Sequence, residues 1–79
     1  MHVRLNGALS VRLGSSCTLD VGAGVTVGDV IELLVARHPT EEGLLRRAVP
    51  VVGGRIVPTD FPLTGREELA LLMPQAGGS

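Results

Sequence analysis

The chain has 79 residues, a formal charge of −1 and a single aromatic side chain, Phe61. This length allows one domain with one modest core, which buries roughly 60–65% of the surface of the unfolded chain. The small charge and the single ring argue against nucleic-acid binding, which uses basic surfaces and stacked aromatic side chains. One cysteine, Cys17, excludes an internal disulfide and a zinc or iron–sulfur site built from cysteines. No apolar run approaches the roughly 18 residues of a membrane span and the first residues do not resemble a signal peptide, so we expect a cytoplasmic protein.

The first 21 residues predict mainly strands. Residues 2–5 alternate polar and apolar side chains, which indicates a strand with Val3 and Leu5 on its buried face, and Asn6-Gly7 then offers a tight turn. Residues 8–14 allow two interpretations, the return arm of a hairpin or a loop between longer strands. Apolar residues at 9, 11 and 13 favour at least some strand. Alternation resumes at residues 17–21, where Cys17 is expected to pack as a small hydrophobe rather than to relay a persulfide.

The clearest helix begins after Thr26. Thr26 can cap it, and Asp29 places a carboxylate in the first turn, against the positive end of the helix dipole. We expect His38 to be a surface residue or a helix-end cation, because no second histidine or cysteine has metal-ligand spacing. Pro39 ends the helix. The apolar residues at helical spacing are Val27, Val30, Ile31 and Leu34, and Leu33 is expected to widen their face.

The next elements are a second helix and a second hairpin. Residues 40–47 predict a short helix with its two leucines docked inward and its two arginines on a solvated face. Residues 49–57 predict a hairpin around Gly53-Gly54. Pro50 cannot donate a ladder hydrogen bond, so we expect it at the start of its strand or on a sheet edge. A loop and a turn at residues 64–67 lead to the last strand.

The last strand, residues 68–73, is apolar on both faces, which is typical of a central strand. Its bulkier face, residues 69, 71 and 73, is expected to meet the helix. The other face then leaves Leu72 partly exposed, on the same side of the sheet as His2 and Arg4. We predict that this outer face binds partner proteins.

The predicted order is β-β-α-β-β-β with a short extra helical turn. One helix lying across a mixed sheet of four to five strands is an α+β architecture, the β-grasp. No internal repeat competes with it. We therefore predict a β-grasp domain at residues 1–73 and a flexible tail at residues 74–79.

The tail Pro74-Gln75-Ala76-Gly77-Gly78-Ser79 offers almost no side chain that can anchor to a core. Residues 74–78 reach roughly 17 Å when extended. Two glycines can thread a channel too narrow for any Cβ. Gly-Gly-Ser is also typical of a flexible linker or an expression remnant, and chain ends often fray.

Four segments together resemble a known family. They are GVTVGDV at 24–30, ARHP at 36–39, PLTG at 62–65 and LALLMPQAGG at 69–78. With these segments the chain resembles the MoaD/ThiS sulfur-carrier proteins of the ubiquitin-like superfamily, which include the small subunit of molybdopterin synthase and the thiamine-pathway carrier. Its length and the spacing before the helix are closer to the molybdopterin-synthase type. Two departures are Met73, where the family usually has a second proline, and Ser79, which follows the second glycine.

The resemblance implies a mechanism in which partners do the chemistry. An E1-like (MoeB/ThiF-type) adenylating enzyme uses ATP and magnesium to join AMP to the carboxylate of Gly78, and a sulfur donor then displaces AMP to leave a thiocarboxylate. The sulfur passes to the large subunit of a synthase or to another biosynthetic enzyme. The carrier itself would bind no cofactor or metal and would not be an enzyme. A peptidase is expected to remove Ser79. The implied functional residues are Gly77 and Gly78, and the partner contacts are Arg4, Leu72, Pro74, Gln75 and Ala76.

Two other functions remain open. A ubiquitin-like modifier would use the same activated tail but attach it to lysines of target proteins. A β-grasp binding module would work without the tail. Among sulfur acceptors, the residues leave molybdenum cofactor, thiamine, cysteine and a specialised metabolite as alternatives.

Overall fold

The structure is a computed structural model that describes residues 1–74. Within that range the chain forms five strands and three helices, and a 3₁₀ turn at Pro39–Glu41 joins the last two helices. The strands are β1 (His2–Leu5), β2 (Ser16–Thr18), β3 (Val49–Val52), β4 (Arg55–Ile56) and β5 (Glu68–Leu72). The helices are α1 (Ala8–Leu13), α2 (Val27–Arg37) and α3 (Glu42–Arg47).

The last strand lies in the centre of a mixed sheet. The strand order is β2-β1-β5-β3-β4. β5 runs parallel to β1 and antiparallel to β3, and each outer strand is antiparallel to its neighbour. The predicted β-grasp architecture and the predicted central position of the last strand are confirmed.

The core lies between the inner face of the sheet and α2. In β1 and β5 the alternate residues that were predicted to face inward are buried. Burial of these aliphatic side chains is the main force that holds the helix on the sheet. The inward residues are Val3, Leu5, Leu69 and Leu71 from the sheet, and Val27, Val30, Ile31 and Leu34 from α2.

α2 begins and ends as its sequence predicts. The N–H of Asp29 donates to Oγ1 of Thr26 (3.2 Å) and the N–H of Thr26 donates to Oδ2 of Asp29 (2.9 Å), which is a complete capping box. The helix ends at Arg37, before Pro39. Its apolar face is narrower than expected, because Leu33 is 42% exposed.

The prediction for residues 8–14 was wrong, because this segment forms helix α1 instead of a strand or a loop. Leu9 is buried and Leu13 packs against the core, whereas Val11 is 84% exposed. Residues four apart share one helix face and a residue two positions on points away from it. Apolar residues at positions 9, 11 and 13 are therefore compatible with a short helix as well as with an alternating strand.

Two strand predictions need correction. β2 ends at Thr18 instead of residue 21. The N–H of Leu19 still donates to the carbonyl of Met1 (2.8 Å), and the N-terminal amine of Met1 donates to the carbonyl of Leu19 (2.6 Å), so the pairing with the first strand ends at Leu19. Pro50 lies inside β3, which has neighbours on both sides. Its carbonyl accepts from the N–H of Val57 at 3.0 Å. In an antiparallel ladder the N–H and C=O of one residue point to the same neighbouring strand. The nitrogen of Pro50, which has no hydrogen to donate, therefore faces the residue just after the end of β4, and the β3–β5 ladder stays intact.

The segment that enters α2 is tied to the loop before β5. The N–H of Leu63 donates to the carbonyl of Val25 (2.7 Å), and the N–H of Gly24 donates to the carbonyl of Leu63 (3.0 Å). The N–H of Gly28 donates to the carbonyl of Thr59 (2.7 Å). Two of the segments that carry the family resemblance thus lie side by side and fix the approach of β5.

Helix α3, predicted as the second helix, turns its leucines inward as expected, but the sequence did not predict the ion pairs that Arg46 forms. Leu45 is buried. Arg46 is exposed as expected, but its guanidinium binds two carboxylates, with Nη1 2.7 Å from Oε2 of Glu32 and Nε 2.7 Å from Oε2 of Glu42. The hydrogen bond from Arg46 is the main cause of a lowered pKa at Glu32. Arg46 is therefore engaged within the domain.

Candidate functional site

The tail begins where β5 leaves the centre of the sheet. Pro74 is exposed and follows the strand directly. The predicted site residues Gln75, Ala76, Gly77, Gly78 and Ser79 lie outside the described residues. The geometry of the site is therefore that of the tail's base and of the surface beside it.

The base of the tail is held from both sides and from below. On one side the N–H of Asn6 donates to the carbonyl of Leu71 at 3.2 Å, which extends the β1–β5 pairing to the end of β1. On the other side Leu72 pairs with Val49 of β3. Met73 is half-buried and packs against the core. The last residues before the tail thus belong to the folded domain.

The outer face of the sheet carries a continuous apolar surface. Leu72 is half-buried, as predicted. Val49 pairs with Leu72, and Val51 pairs with both Ala70 and Ile56. Residues directly paired across strands share one face of the sheet. We call this surface the outer-face patch, and its members are Val49, Val51, Ile56, Ala70 and Leu72.

Charged side chains flank the outer-face patch on β1 and at the start of β5. Arg4, predicted as a partner contact, is exposed on this face and pairs with Ala70 in the β1–β5 register. Its Nη1 lies 3.8 Å from Oε1 of Glu68, whose other oxygen lies 3.5 Å from Nε2 of His2. All three side chains are about half exposed. Since exposed pairs of this kind contribute only about 0–1 kcal/mol, a partner can replace them at little cost.

A shallow depression of about 480 Å³ crosses the same face at the end of the sheet away from the tail. Arg4, Ala70 and Val51 line its floor, and the Gly53-Gly54 turn lines one side. Both glycines have positive φ (60° and 80°) and a Cβ at either would meet nothing within 4 Å. They serve the tight hairpin turn and leave the rim without side chains.

The sequence predicted only part of this surface. It assigned Leu72 and Arg4 to the outer face, and the structure brings them onto one face. Val49, Val51 and Ile56 were missed, although Ile56 is 75% exposed. The hairpin register relative to β5 was needed to place them beside Leu72, and the sequence offers no direct signal for it.

Cys17 lies on the inner side of β2, half-buried and packed against the core. Burial raises the pKa of its thiol, and the nearby charge of Arg37 only partly offsets this. A thiol with a raised pKa is a poor nucleophile at neutral pH. This environment agrees with the prediction that Cys17 packs as a small hydrophobe.

Residues 1–74 contain no group of three or more His, Cys, Asp and Glu side chains arranged to hold a metal ion. No helix in that range is both long and apolar enough to span a bilayer.

A β-grasp domain whose central last strand leads into a di-glycine sequence defines a ubiquitin-like protein. The model of the ThiS family matches residues 3–78, so the chain belongs to the ThiS family. Members of this family are generally non-catalytic and generally act with E1-like activating enzymes. The chain is thus a ubiquitin-like sulfur carrier or modifier.

Two solved structures are similar over nearly the whole chain. A crystal structure of SAMP1 from Haloferax volcanii is 27% identical, with a TM-score of 0.80, and the match covers 98% of this chain and 97% of that one. A second crystal structure, of small archaeal modifier protein 1 from H. volcanii, is 26% identical with a TM-score of 0.77, covering 92% and 94%. No curated protein matched the sequence.

Proposed function

We propose that the protein is a sulfur carrier whose Gly78 carboxylate is adenylated by an E1-like enzyme and then converted to a thiocarboxylate, and that it serves as a molybdopterin-synthase-type small subunit. The observation that carries the proposal is the continuity between β5 and the tail. The strand is paired with β1 up to Leu71 and with β3 up to Leu72, and Pro74 is already exposed. β5 is thus held within the sheet almost to its end, and the chain has reached the surface at Pro74.

The chemistry needs an activated carboxylate because a free carboxylate resists attack by nucleophiles. In the proposed step, the carboxylate oxygen of Gly78 attacks the α-phosphorus of ATP and pyrophosphate leaves, which gives an acyl-adenylate. A sulfur nucleophile at the oxidation level of sulfide then attacks the acyl carbon and AMP leaves. The product is a thiocarboxylate. ATP, magnesium and the sulfur source all belong to the partners.

The outer-face patch is the surface that we propose for the adenylating enzyme. It adjoins the tail's base at Leu72 and combines an apolar centre with half-exposed charges at Arg4 and Glu68. An apolar centre with a polar rim is typical of protein interfaces. Binding here would leave the tail free to enter the active site of the partner. Pro74, Gln75 and Ala76 would line the entrance.

A second candidate function is protein modification. It is favoured by the similarity to the small archaeal modifier protein over nearly all of both chains. In that function the activated Gly78 would acylate a lysine amine of a target instead of accepting sulfur. The 79-residue sequence contains no lysine, so a lysine-linked adduct in an assay must lie on another protein.

One experiment separates these functions. The chain ending at Gly78 is incubated with an E1-like adenylating enzyme from the same organism, ATP, magnesium and sulfide, and intact masses are measured. Replacement of one C-terminal oxygen by sulfur supports the carrier. Adducts on lysines of added cellular proteins without sulfur gain support the modifier. If neither forms, and a chain without Gly77 and Gly78 keeps its cellular activity, the protein is a binding module instead.

A further inference from the structure

Gly7 lies directly beside the base of the tail. A Cβ built on Gly7 would lie 3.1 Å from Cβ and 3.4 Å from Cγ of Met73. A separation of 3.1 Å is tighter than most real Cβ contacts, so one of the two residues would have to shift. Met73 is the residue that joins β5 to Pro74. The absence of a side chain at Gly7 therefore decides how closely the start of the tail approaches the end of β1.

The backbone at Gly7 is held firmly. Its carbonyl accepts from the N–H of Ser10 (3.0 Å), the N–H of Val11 (3.3 Å) and Oγ of Ser10 (2.8 Å). Its φ and ψ are 63° and −139°, a conformation that residues with a Cβ rarely adopt. The N–H of the preceding residue, Asn6, donates to the carbonyl of Leu71. The corner is thus fixed to α1 on one side and to β5 on the other.

We propose that Gly7 is a positioning residue for the tail: the corner at Asn6-Gly7 is a rigid support against which Met73 packs, and this contact sets the direction in which the chain leaves the sheet. The inference rests on the proposed function for its catalytic consequence. A tail carboxylate must reach the α-phosphate of ATP in a defined geometry, and a small misplacement of reacting groups lowers the rate strongly. Gly7 is not a member of the outer-face patch, and the residue it meets, Met73, packs against the core on the other face of the sheet, so we expect its effect on the reaction and not on docking.

Another glycine offers a matched control. Gly14 has a positive φ (92°) with ψ 166°, and it follows the last residue of the same helix. A Cβ at Gly14 would meet nothing within 4 Å. Gly7→Ala and Gly14→Ala therefore both strain the backbone at an end of α1, and only Gly7→Ala presses on Met73.

The catalytic test is adenylation of the chain ending at Gly78 by the E1-like enzyme, followed as ATP–pyrophosphate exchange against carrier concentration. For Gly7→Ala we expect kcat to fall on the order of ten- to a hundred-fold with KM nearly unchanged. Gly14→Ala should keep both constants. Met73→Gly removes both contacting atoms. In that background, Gly7→Ala should lower kcat no more than Gly14→Ala does. Equal losses of kcat in the two alanine variants, or the same loss with and without Met73, would overturn the proposal.

A structural test does not depend on the adenylating enzyme. A nitroxide is attached at Gln75→Cys in a Cys17→Ser background, and broadening of backbone amide signals is measured by NMR. Gly7→Ala should change which amides are broadened, and Gly14→Ala should not. An unchanged pattern in Gly7→Ala means that the tail's direction does not depend on Gly7. If the enzyme fails to adenylate even the parent chain, the proposed function is wrong, while the broadening pattern still decides the inference.

Should Gly7→Ala fail to fold, the contact is tested from the other side. Met73→Ala keeps the Cβ that lies closest to Gly7, and Met73→Gly removes it. We expect the parent broadening pattern in Met73→Ala and an altered one in Met73→Gly. The same pattern in both variants would contradict the proposal.

Discussion

Leu72 and Val49 lie directly opposite each other across β5 and β3, on the face of the sheet that α2 does not cover. Both are half-buried although neither belongs to the core. Leu72 is also the last residue of β5, two positions before the exposed Pro74. An apolar pair is thus held at the point where the tail begins, which makes it the natural place to measure partner binding apart from stability.

Leu72→Glu is expected to weaken binding of the adenylating enzyme about ten-fold or more, because it places a charge in the apolar centre of the outer-face patch. The free energy of unfolding should fall by only about 1 kcal/mol, since Leu72 is half-buried. Binding is measured by calorimetry and stability by urea denaturation. A large loss of stability would show instead that Leu72 belongs to the core.

Two control variants separate surface from core. Leu33→Glu changes a leucine that is also partly exposed but lies on α2, on the other side of the sheet, so enzyme binding should be unchanged. Leu71→Glu buries a charge at a fully enclosed position and should destabilise the domain by more than about 4 kcal/mol. If Leu33→Glu weakened binding as much as Leu72→Glu, the partner surface would not be the outer face.

The turn before β5 predicts a pH dependence of stability. The carboxylate of Glu67 accepts from the N–H of Thr64 (2.9 and 3.0 Å) and of Gly65 (3.1 Å), and these bonds, led by Thr64, lower the pKa of Glu67. A carboxyl whose pKa is lower in the folded state stabilises the fold above its unfolded pKa of roughly 4.3, and this contribution is lost as the pH falls through the folded pKa. Glu67→Gln should therefore be less stable than the parent at pH 7, with a smaller difference at pH 3. Urea denaturation at the two pH values checks this, and an equal difference at both would exclude a role for the charge.

The long elements could be predicted from the sequence because local signals agreed with the tertiary structure. The Thr26–Asp29 capping box and the stop at Pro39 indicate the two ends of a helix, and the apolar run at residues 69–72 indicates a strand; each is found in the structure. The central place of β5 followed from its apolar residues on both faces. These signals act within a few residues, so they do not depend on what the rest of the chain does.

The shorter elements could not be predicted because tertiary contacts decide them. Six residues with apolar side chains at alternate positions fit one turn of helix or a short strand, and only the burial of Leu9 against the core selects helix α1. Similarly, the outer-face patch depends on the register between β3 and β5. The contact between Gly7 and Met73 joins residues that are far apart in the sequence. No local pattern contains such information.

Cys17→Ser is expected to leave sulfur loading of Gly78 unchanged. The thiol is half-buried against the core and its pKa is raised by burial, so it supplies little thiolate to carry sulfur. The variant should fold, because serine is close to cysteine in size, although a small loss of stability is expected at a partly buried site. Thiocarboxylate formation is measured by intact mass. A folded variant that no longer gains sulfur would show that Cys17 relays a persulfide.

The final prediction concerns the residue after the di-glycine. If Gly78 carries the acyl group, its carboxylate must be free, and a channel shaped for a glycine backbone has no room for the hydroxymethyl group of Ser79 beside the phosphoanhydride. We therefore expect the 79-residue chain to be inert with the adenylating enzyme, ATP and sulfide, and the chain ending at Gly78 to gain sulfur. Gly78→Ala in the shorter chain is the matched control, since it adds one methyl group at the reacting residue and should also block the reaction. If intact-mass analysis shows that the chain ending in Ser79 acquires sulfur as readily as the shorter one, Gly78 is not the acyl carrier and trimming by a peptidase is not required.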